Sequence, residues 1–212
     1  IGAGALDNPL LSSHLFGFFG VYWLWMAVNS KRALTVALCT AAFAVMSAAV
    51  VATGSRTPLV AMTLAVNWIA LLCLDRRSIP LFLAAPVFIV LVLLVDPQLI
   101  TARGDSYRFQ IWHTTWELFL QHPLIGHGYD APLSIDVGVG YPFSEPHSFA
   151  MGVLYYVGIL GMLPWLGMLG YALYNGWKYR RHPALQMATA LLVFGIGAGL
   201  TEGGGILSRP KE

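Results

Sequence analysis

Long apolar stretches constrain this chain more than any other feature of the sequence. A helix needs about 20 mainly apolar residues to cross the hydrocarbon core of a bilayer. Six stretches approach that length, at 11–28, 33–52, 57–74, 79–95, 148–174 and 184–201. Only 10% of the 212 residues are charged, against about 25% in soluble domains. The sequence therefore predicts an all-α polytopic membrane protein with about six transmembrane helices.

Positive charges divide the connections between these helices into two sides. Cytoplasmic loops are enriched in Lys and Arg. Seven such residues lie in the connections after the first, third and fifth stretches: Lys31, Arg32, Arg76, Arg77, Lys178, Arg180 and Arg181. The connections on the other side contain only Arg56, Arg103 and Arg108, and the long connection at 96–147 has six carboxylates. We predict a single membrane domain over 1–212, with 96–147 as an extracytoplasmic loop.

The predicted loop begins with a segment rich in aromatic residues. Between 105 and 121, aromatic side chains are interleaved with Arg108, His113 and Glu117, which is typical of a helix in the membrane interface. After Pro123, the Gly, Pro and Asp content predicts irregular backbone as far as 146. Such backbone must lie in water or be covered by protein, because lipid offers no hydrogen-bond partners.

Two arginines on this side are candidates for binding an anion. Arg56 follows a run of small apolar residues, where a charge is costly, and neither Arg56 nor Arg108 has an obvious acidic partner. Snorkelling to headgroups and simple solvation are the alternatives. A guanidinium donates two parallel hydrogen bonds to phosphate oxygens and keeps its charge. We predict a phosphate-bearing substrate at both residues, with Arg103 as a solvated or lipid-phosphate contact.

His147 is the candidate general base. It ends the loop directly before an apolar stretch, on the same side as the arginines. A neutral imidazole at that position can take a proton from a hydroxyl near neutral pH. Trp112 follows Arg108 by four residues and so shares its helix face. We interpret Trp112 as an anchor at the headgroups and as a candidate substrate-binding residue.

The sequence predicts no metal and no cofactor. His122 and His127 are five residues apart, a spacing that matches no zinc signature. Gly126-x-Gly128 lacks the preceding strand and the third glycine of a dinucleotide motif. The net charge of +2 is too small to indicate nucleic acid as a partner.

The order of short motifs along the chain resembles the O-antigen ligase and polymerase superfamily. The motifs are Asn8-Pro9, Gly54-Ser55-Arg56, Tyr107-Arg108-Phe109-Gln110-Ile111-Trp112, His122-Pro123-Leu124-Ile125-Gly126-x-Gly128, His147-Ser148 and Gly158-Ile159-Leu160-Gly161. Each motif is short, but their order and membrane sidedness together carry the resemblance over nearly the whole chain. Ser148 stands where Asn is the more usual neighbour of the histidine.

This resemblance implies a GT-C-like, metal-independent, inverting glycosyltransferase that works at the periplasmic face of the bacterial inner membrane. The implied donor is an undecaprenyl diphosphate-linked glycan, and the implied acceptor is a lipid A-core sugar. Arg56 and Arg108 match the arginines expected to hold the donor diphosphate, and His147 matches the histidine that activates the acceptor hydroxyl. Members of the superfamily are larger, so we expect this chain to be a fragment that corresponds to a C-terminal half or two thirds.

Other functions stay open at this stage. A polymerase performs the same chemistry with a second lipid-linked glycan as acceptor, and a further variant glycosylates a protein. A transporter or flippase for lipid-linked glycans is the alternative from another class. Transporters have broken helices with polar groups near the midplane of the membrane, whereas the polar residues here gather at one face, which favours a reaction at the membrane surface.

Overall fold

The chain is helical throughout most of its described length. A computed structural model describes residues 9–73, 107–138 and 140–202. Within these ranges the only β pairing is an isolated bridge between Ile135 and Phe143. The helices are α1 (Pro9–Asn29), α2 (Ala33–Ala52), α3 (Arg56–Cys73), α4 (Arg108–Phe119), α5 (Phe149–Lys178) and α6 (Pro183–Thr201).

All of these helices except α4 are long and apolar enough to cross a membrane, which makes five within the described residues. The predicted all-α polytopic membrane fold is therefore confirmed. The bounds of α2 are those that the sequence predicts, while α5 continues to Lys178 instead of ending at 174. The predicted span at 79–95 lies outside the described residues, as does the start of the loop before Tyr107.

The described residues form two compact units, and each is considered by itself. The first unit contains the described residues of Ile1–Ala102 and of Ala172–Ala198. Its core consists of apolar side chains from α1, α2, α3 and α6, among them Val21, Val50, Ile69 and Phe194. Gly197 of α6 faces the backbone of Ala61 in α3. Small residues at such a crossing let two helices approach closely, which favours van der Waals packing in a membrane.

The second unit contains the described residues of Arg103–Tyr171 and of Gly199–Glu212. It has an apolar core of its own, formed by Ile111, Leu133, Ile135, Tyr155 and Tyr156. In the bridge, Ile135 and Phe143 each donate a backbone N–H to the other's carbonyl, at 2.9 and 2.8 Å. The Tyr155 hydroxyl donates to the Pro132 carbonyl at 3.0 Å. The loop backbone after Pro123 is irregular, as the sequence predicts, but it is folded around this apolar core.

The helix α5 is interrupted at Gly158, where φ is 62° and ψ is −164°. Beside the interruption, two carbonyls and two N–H groups of α5 bond to the loop segment Pro123–Gly128. The bonds are His127 N to Tyr155 O (2.8 Å), Gly128 N to Tyr156 O (3.0 Å), Ile159 N to Pro123 O (2.9 Å) and Leu160 N to Leu124 O (3.0 Å). We call Pro123–Gly128 the docked segment.

Glycine is required on both sides of this docking. A Cβ atom at Gly126 would lie 2.5 Å from the backbone carbon of Tyr156, and one at Gly158 would lie 2.5 Å from the Leu124 carbonyl oxygen. Both residues also have positive φ, at 69° and 62°, which other residues adopt only at a cost. Gly126 thus permits the close contact of two backbones, and the span predicted at 148–174 is two helical pieces joined at Gly158.

Candidate functional site

The three residues predicted to carry the chemistry lie at the beginnings of three helices. Arg56 is the first residue of α3, Arg108 is the first residue of α4, and His147 precedes α5 by two residues. The first turn of a helix has backbone N–H groups without helical partners and a partial positive charge, so it favours anions. Both guanidinium groups therefore add to a local environment that already suits phosphate.

Arg56 is positioned by a tight turn between α2 and α3. The Thr53 hydroxyl donates to the Val50 carbonyl at 2.6 Å, Gly54 has a φ of 65°, and Ser55 is buried. Arg56 itself is half-buried. The turn fixes the backbone from which Arg56 extends. Arg56 belongs to the first unit and Arg108 to the second, and their convergence on one anion stays a prediction.

Arg108 has an acidic partner that the sequence analysis missed. Its Nη2 atom lies 3.6 Å from Oε1 of Glu202, and both side chains are partly exposed. The expectation that Arg108 lacks such a partner is therefore wrong. Glu202 directly follows α6, and the alternation of loop charges already assigned that end of the helix to the side of Arg108. A charge-assisted hydrogen bond is shorter, at about 2.7–2.9 Å, so the pair leaves the guanidinium able to bind a second anion.

His147 lies in a turn that leads into α5. Its φ is 49°, and its half-buried ring meets the ring of Phe143 edge-on at 5.9 Å. The next residue, Ser148, is buried, and its hydroxyl accepts a hydrogen bond from the Met151 N–H at 3.5 Å. This is the local bond of a helix N-cap, which Asn makes equally well. Ser148 thus performs a capping role that does not depend on its difference from Asn.

Two residues other than glycine have positive φ within the described ranges, Tyr107 and His147. One is the candidate base, and the other directly precedes Arg108. The left-handed conformation costs a residue with a side chain about 1–2 kcal/mol, and strain of this kind is concentrated at functional sites. The backbone is therefore strained at two of the positions that sequence motifs alone had selected.

Trp112 is half-buried against the apolar core of the second unit. Its ring meets that of Phe109 edge-on at 5.9 Å. The Trp112 Nε1 atom is buried, and no described residue offers it a hydrogen-bond acceptor. A buried N–H without an acceptor is costly. Trp112 therefore packs against its neighbours, and its role in substrate binding stays a prediction.

The second unit also has an open cavity of about 470 Å³. It is lined by Phe109, Gln110, His113, Thr114, Asp136 and Val137. The Asp136 carboxylate accepts a hydrogen bond from the Gly138 N–H at 2.8 Å, which holds it in place. His113 lies 3.7 Å from Glu117 in the same helix. The lining therefore combines an exposed aromatic ring with amide, imidazole, hydroxyl and carboxylate groups.

The two histidines of the docked region pack as rings. His127 stacks on Tyr155 with a centroid distance of 4.4 Å and an interplanar angle of 13°, and His122 meets His127 edge-on at 4.8 Å. Among the described residues, no group of three or more His, Cys, Asp or Glu is arranged to hold a metal ion. Arg103 lies outside the described residues.

These features define a class, the multi-pass helical membrane proteins in which a folded loop carries arginine and histidine at helix starts. A family model described as O-Antigen ligase matches residues 41–166. An "O-antigen ligase" of Pseudomonas aeruginosa is 40% identical over 213 residues, which cover 100% of this chain and 52% of that protein. The chain belongs to the O-antigen ligase family.

The chain spans about half the length of that relative. No solved structure matches it, so the GT-C-like fold stays a prediction.

Proposed function

We propose that this chain is the catalytic part of a membrane glycosyltransferase that moves O-antigen glycan from an undecaprenyl diphosphate carrier to a hydroxyl of a lipid A-core sugar. The reaction takes place at the periplasmic face of the bacterial inner membrane, uses no metal and inverts the anomeric centre. Family membership supports this function. The observation that carries the site is the left-handed backbone at His147 and at Tyr107, the neighbour of Arg108.

The proposed reaction is a single displacement. The acceptor hydroxyl attacks the anomeric carbon of the donor, a new carbon–oxygen bond forms on one face of the sugar, and the bond to the diphosphate breaks on the other. The His147 imidazole takes the proton from the attacking hydroxyl, and undecaprenyl diphosphate leaves. An alcohol is a weak nucleophile, so it needs a base within hydrogen-bond reach as the new bond forms.

The two arginines act on the leaving group. Charge develops on the diphosphate as the bond to the sugar breaks, and fixed positive groups that face this charge lower the barrier. Arg108 fits that role because it begins α4, where backbone N–H groups add to its charge. Arg56 has the corresponding position in α3. Glu202 holds the Arg108 guanidinium in place before the donor binds.

We assign the open cavity beside α4 to the glycan. Phe109 is exposed, and an exposed aromatic ring can pack against the apolar face of a sugar. Gln110 and Asp136 can accept hydrogen bonds from sugar hydroxyls, and Gln110 can also donate them. Trp112, with its buried N–H, is a further contact for the substrate. These groups bind sugar without taking part in the displacement.

The interruption of α5 calls for a comparison with the transporter alternative, because transporters use broken helices to bind their cargo. Here the carbonyls and N–H groups next to Gly158 are bonded to the docked segment. They are therefore occupied by the protein's own backbone. The interruption is a place where a loop attaches, and it favours the enzyme over the transporter.

The decisive experiment is His147→Ala in the intact protein, with His182→Ala as the matched control. His182 is an exposed histidine in the connection between α5 and α6 and belongs to no part of the proposed site. Loss of a general base typically slows a reaction by about a hundredfold to ten-thousandfold. We expect that loss of glycan transfer in His147→Ala, with normal membrane insertion and donor binding, and near-normal transfer in His182→Ala. Normal transfer in His147→Ala would assign the proton to another group, such as Glu145 or Asp136.

The same strains distinguish a ligase from a polymerase. Cells that lack a ligase accumulate completed polymer on the lipid carrier, whereas cells that lack a polymerase accumulate single repeat units. We expect polymer on undecaprenyl diphosphate in the His147→Ala strain. Accumulation of single units would replace the lipid A-core acceptor by a second lipid-linked glycan while leaving the roles of His147 and Arg108 unchanged.

A further inference from the structure

The region around the docked segment exposes large aliphatic side chains close together in sequence. Leu124 and Ile125 are 62% and 69% exposed, and Leu120, just after α4, is also exposed. Burying such a side chain away from water is favourable. A loop in water gains nothing by exposing three of them within six residues. We call Leu120, Leu124 and Ile125 the apolar edge.

Backbone polar groups in this region are hydrogen-bonded within the protein, as an apolar environment requires. Non-helical backbone is tolerated at membrane depth only where its polar groups are satisfied by protein. The docked segment makes four backbone hydrogen bonds to the interrupted part of α5, and Gly126 donates a fifth to the His122 carbonyl at 2.9 Å. At the edge itself, the Leu120 N–H donates to the Trp116 carbonyl and the Leu124 carbonyl accepts from the Leu160 N–H, both at 3.0 Å, so these polar groups are satisfied by the protein.

The position of the interruption along α5 gives the depth. From Ile159 to Lys178, α5 has 20 residues, and at 1.5 Å per residue this part is about 30 Å long, the thickness of the hydrocarbon core. Lys178 belongs to the basic connection that the positive-inside rule assigns to the cytoplasm. Gly158 then lies at the opposite boundary of the hydrocarbon, and the Leu124 carbonyl of the apolar edge is bonded beside it to the Leu160 N–H.

Neighbouring side chains continue the same surface. Leu160 and Leu163 of α5 are exposed, so the apolar edge adjoins a face of the helix that suits lipid. Exposed Trp116 and Tyr129 lie on either side of the edge in sequence, and such aromatic side chains are enriched at the headgroup level of membranes. We propose that the apolar edge inserts into the leaflet opposite the cytoplasm and anchors the loop to the bilayer beside the interruption of α5.

Spin labels can test this proposal in the intact protein, reconstituted in phospholipid vesicles with Cys39→Ala and Cys73→Ala. The label is placed at Ile125→Cys, with Leu124→Cys as a second position. Ser134→Cys, an exposed residue elsewhere in the loop, is the aqueous control, and a phospholipid with a nitroxide on its acyl chain is the hydrocarbon reference. Collision rates with oxygen and with a water-soluble nickel chelate are measured for each.

We expect the labels at both edge positions to collide mainly with oxygen, as the labelled phospholipid does, and severalfold less with the nickel chelate than the label at Ser134 does. Frequent collision with the chelate at Ile125 and Leu124 would place the edge in water and overturn the proposal. Low collision rates with both reagents would also overturn it, because another part of the protein would then cover the edge. Glycan transfer is not measured, so the result does not depend on the proposed reaction.

Discussion

The two units of the chain are held together in different ways. In the first unit, continuous apolar helices pack through side chains such as Val21, Val50 and Phe194. In the second unit, an irregular segment bonds through its backbone to an interrupted helix at Gly158. Helix packing tolerates side-chain change as long as volume and polarity are kept. Backbone docking depends on a few positions with no room for a side chain. The candidate base and one candidate arginine belong to the second unit.

This difference suits the proposed reaction. A base and a phosphate-binding group must be held within a fraction of an ångström of the productive geometry, and loops rarely supply such precision. The docked segment and the core around Ile135 attach the irregular part of the second unit to α5. His147 sits directly before this helix, so the same helix that receives the docked segment positions the candidate base.

The largest expected effect is that of adding one methyl group at the docking. In Gly126→Ala, the new Cβ atom would overlap the backbone of Tyr156, and φ is positive there. The backbone of Tyr156 and Val157 belongs to α5 and cannot shift aside. We therefore expect the free energy of unfolding to fall by about 4 kcal/mol or more, which only severe changes cause. The measurement is thermal unfolding of the purified protein in detergent, together with proteolysis of the loop.

Gly128→Ala is the matched control for that change. Gly128 also has positive φ, at 91°, but an added Cβ would meet no atom within 4 Å. The free energy of unfolding should then fall only by the cost of the left-handed backbone, about 1–2 kcal/mol. If Gly126→Ala unfolds at the same temperature as Gly128→Ala, backbone docking does not hold the second unit together, and the contrast between the units disappears.

A smaller effect is expected for the site of the second unit. In Arg108→Lys the charge remains, but the planar fork that donates two parallel hydrogen bonds is lost. A hydrogen bond to a charged group is worth about 1.5–3 kcal/mol, which corresponds to roughly a tenfold to hundredfold loss of transfer rate. Arg181→Lys, an exposed arginine of the first unit, should transfer at the normal rate. Equal rates in both variants would reduce Arg108 to a general electrostatic role.

The contrast between the units also explains what the sequence could predict. The helices of the first unit follow from apolar length and from charged turns such as Lys31-Arg32, because a bilayer imposes both. Glu202 was overlooked although its position after α6 indicated the side of Arg108. The interruption at Gly158 could not be predicted, because its partner Gly126 is remote in sequence. Hydrogen bonds between backbone groups also leave no periodic or compositional pattern in the sequence.

The smallest expected effect lies in the first unit. Trp68 of α3 donates its Nε1–H to the Thr189 hydroxyl of α6 at 2.9 Å, and this bond is the side-chain counterpart of the backbone docking in the second unit. Side-chain hydrogen bonds between membrane helices average only about 0.6 kcal/mol, because the unfolded chain in the membrane also finds partners. A double-mutant cycle with Trp68→Phe and Thr189→Val should therefore give a coupling near that value in unfolding experiments. Glycan transfer should stay normal in both variants, since neither residue belongs to the proposed site. A coupling as large as the loss in Gly126→Ala would reverse the comparison, because the first unit would then also depend on single polar contacts and not on apolar packing.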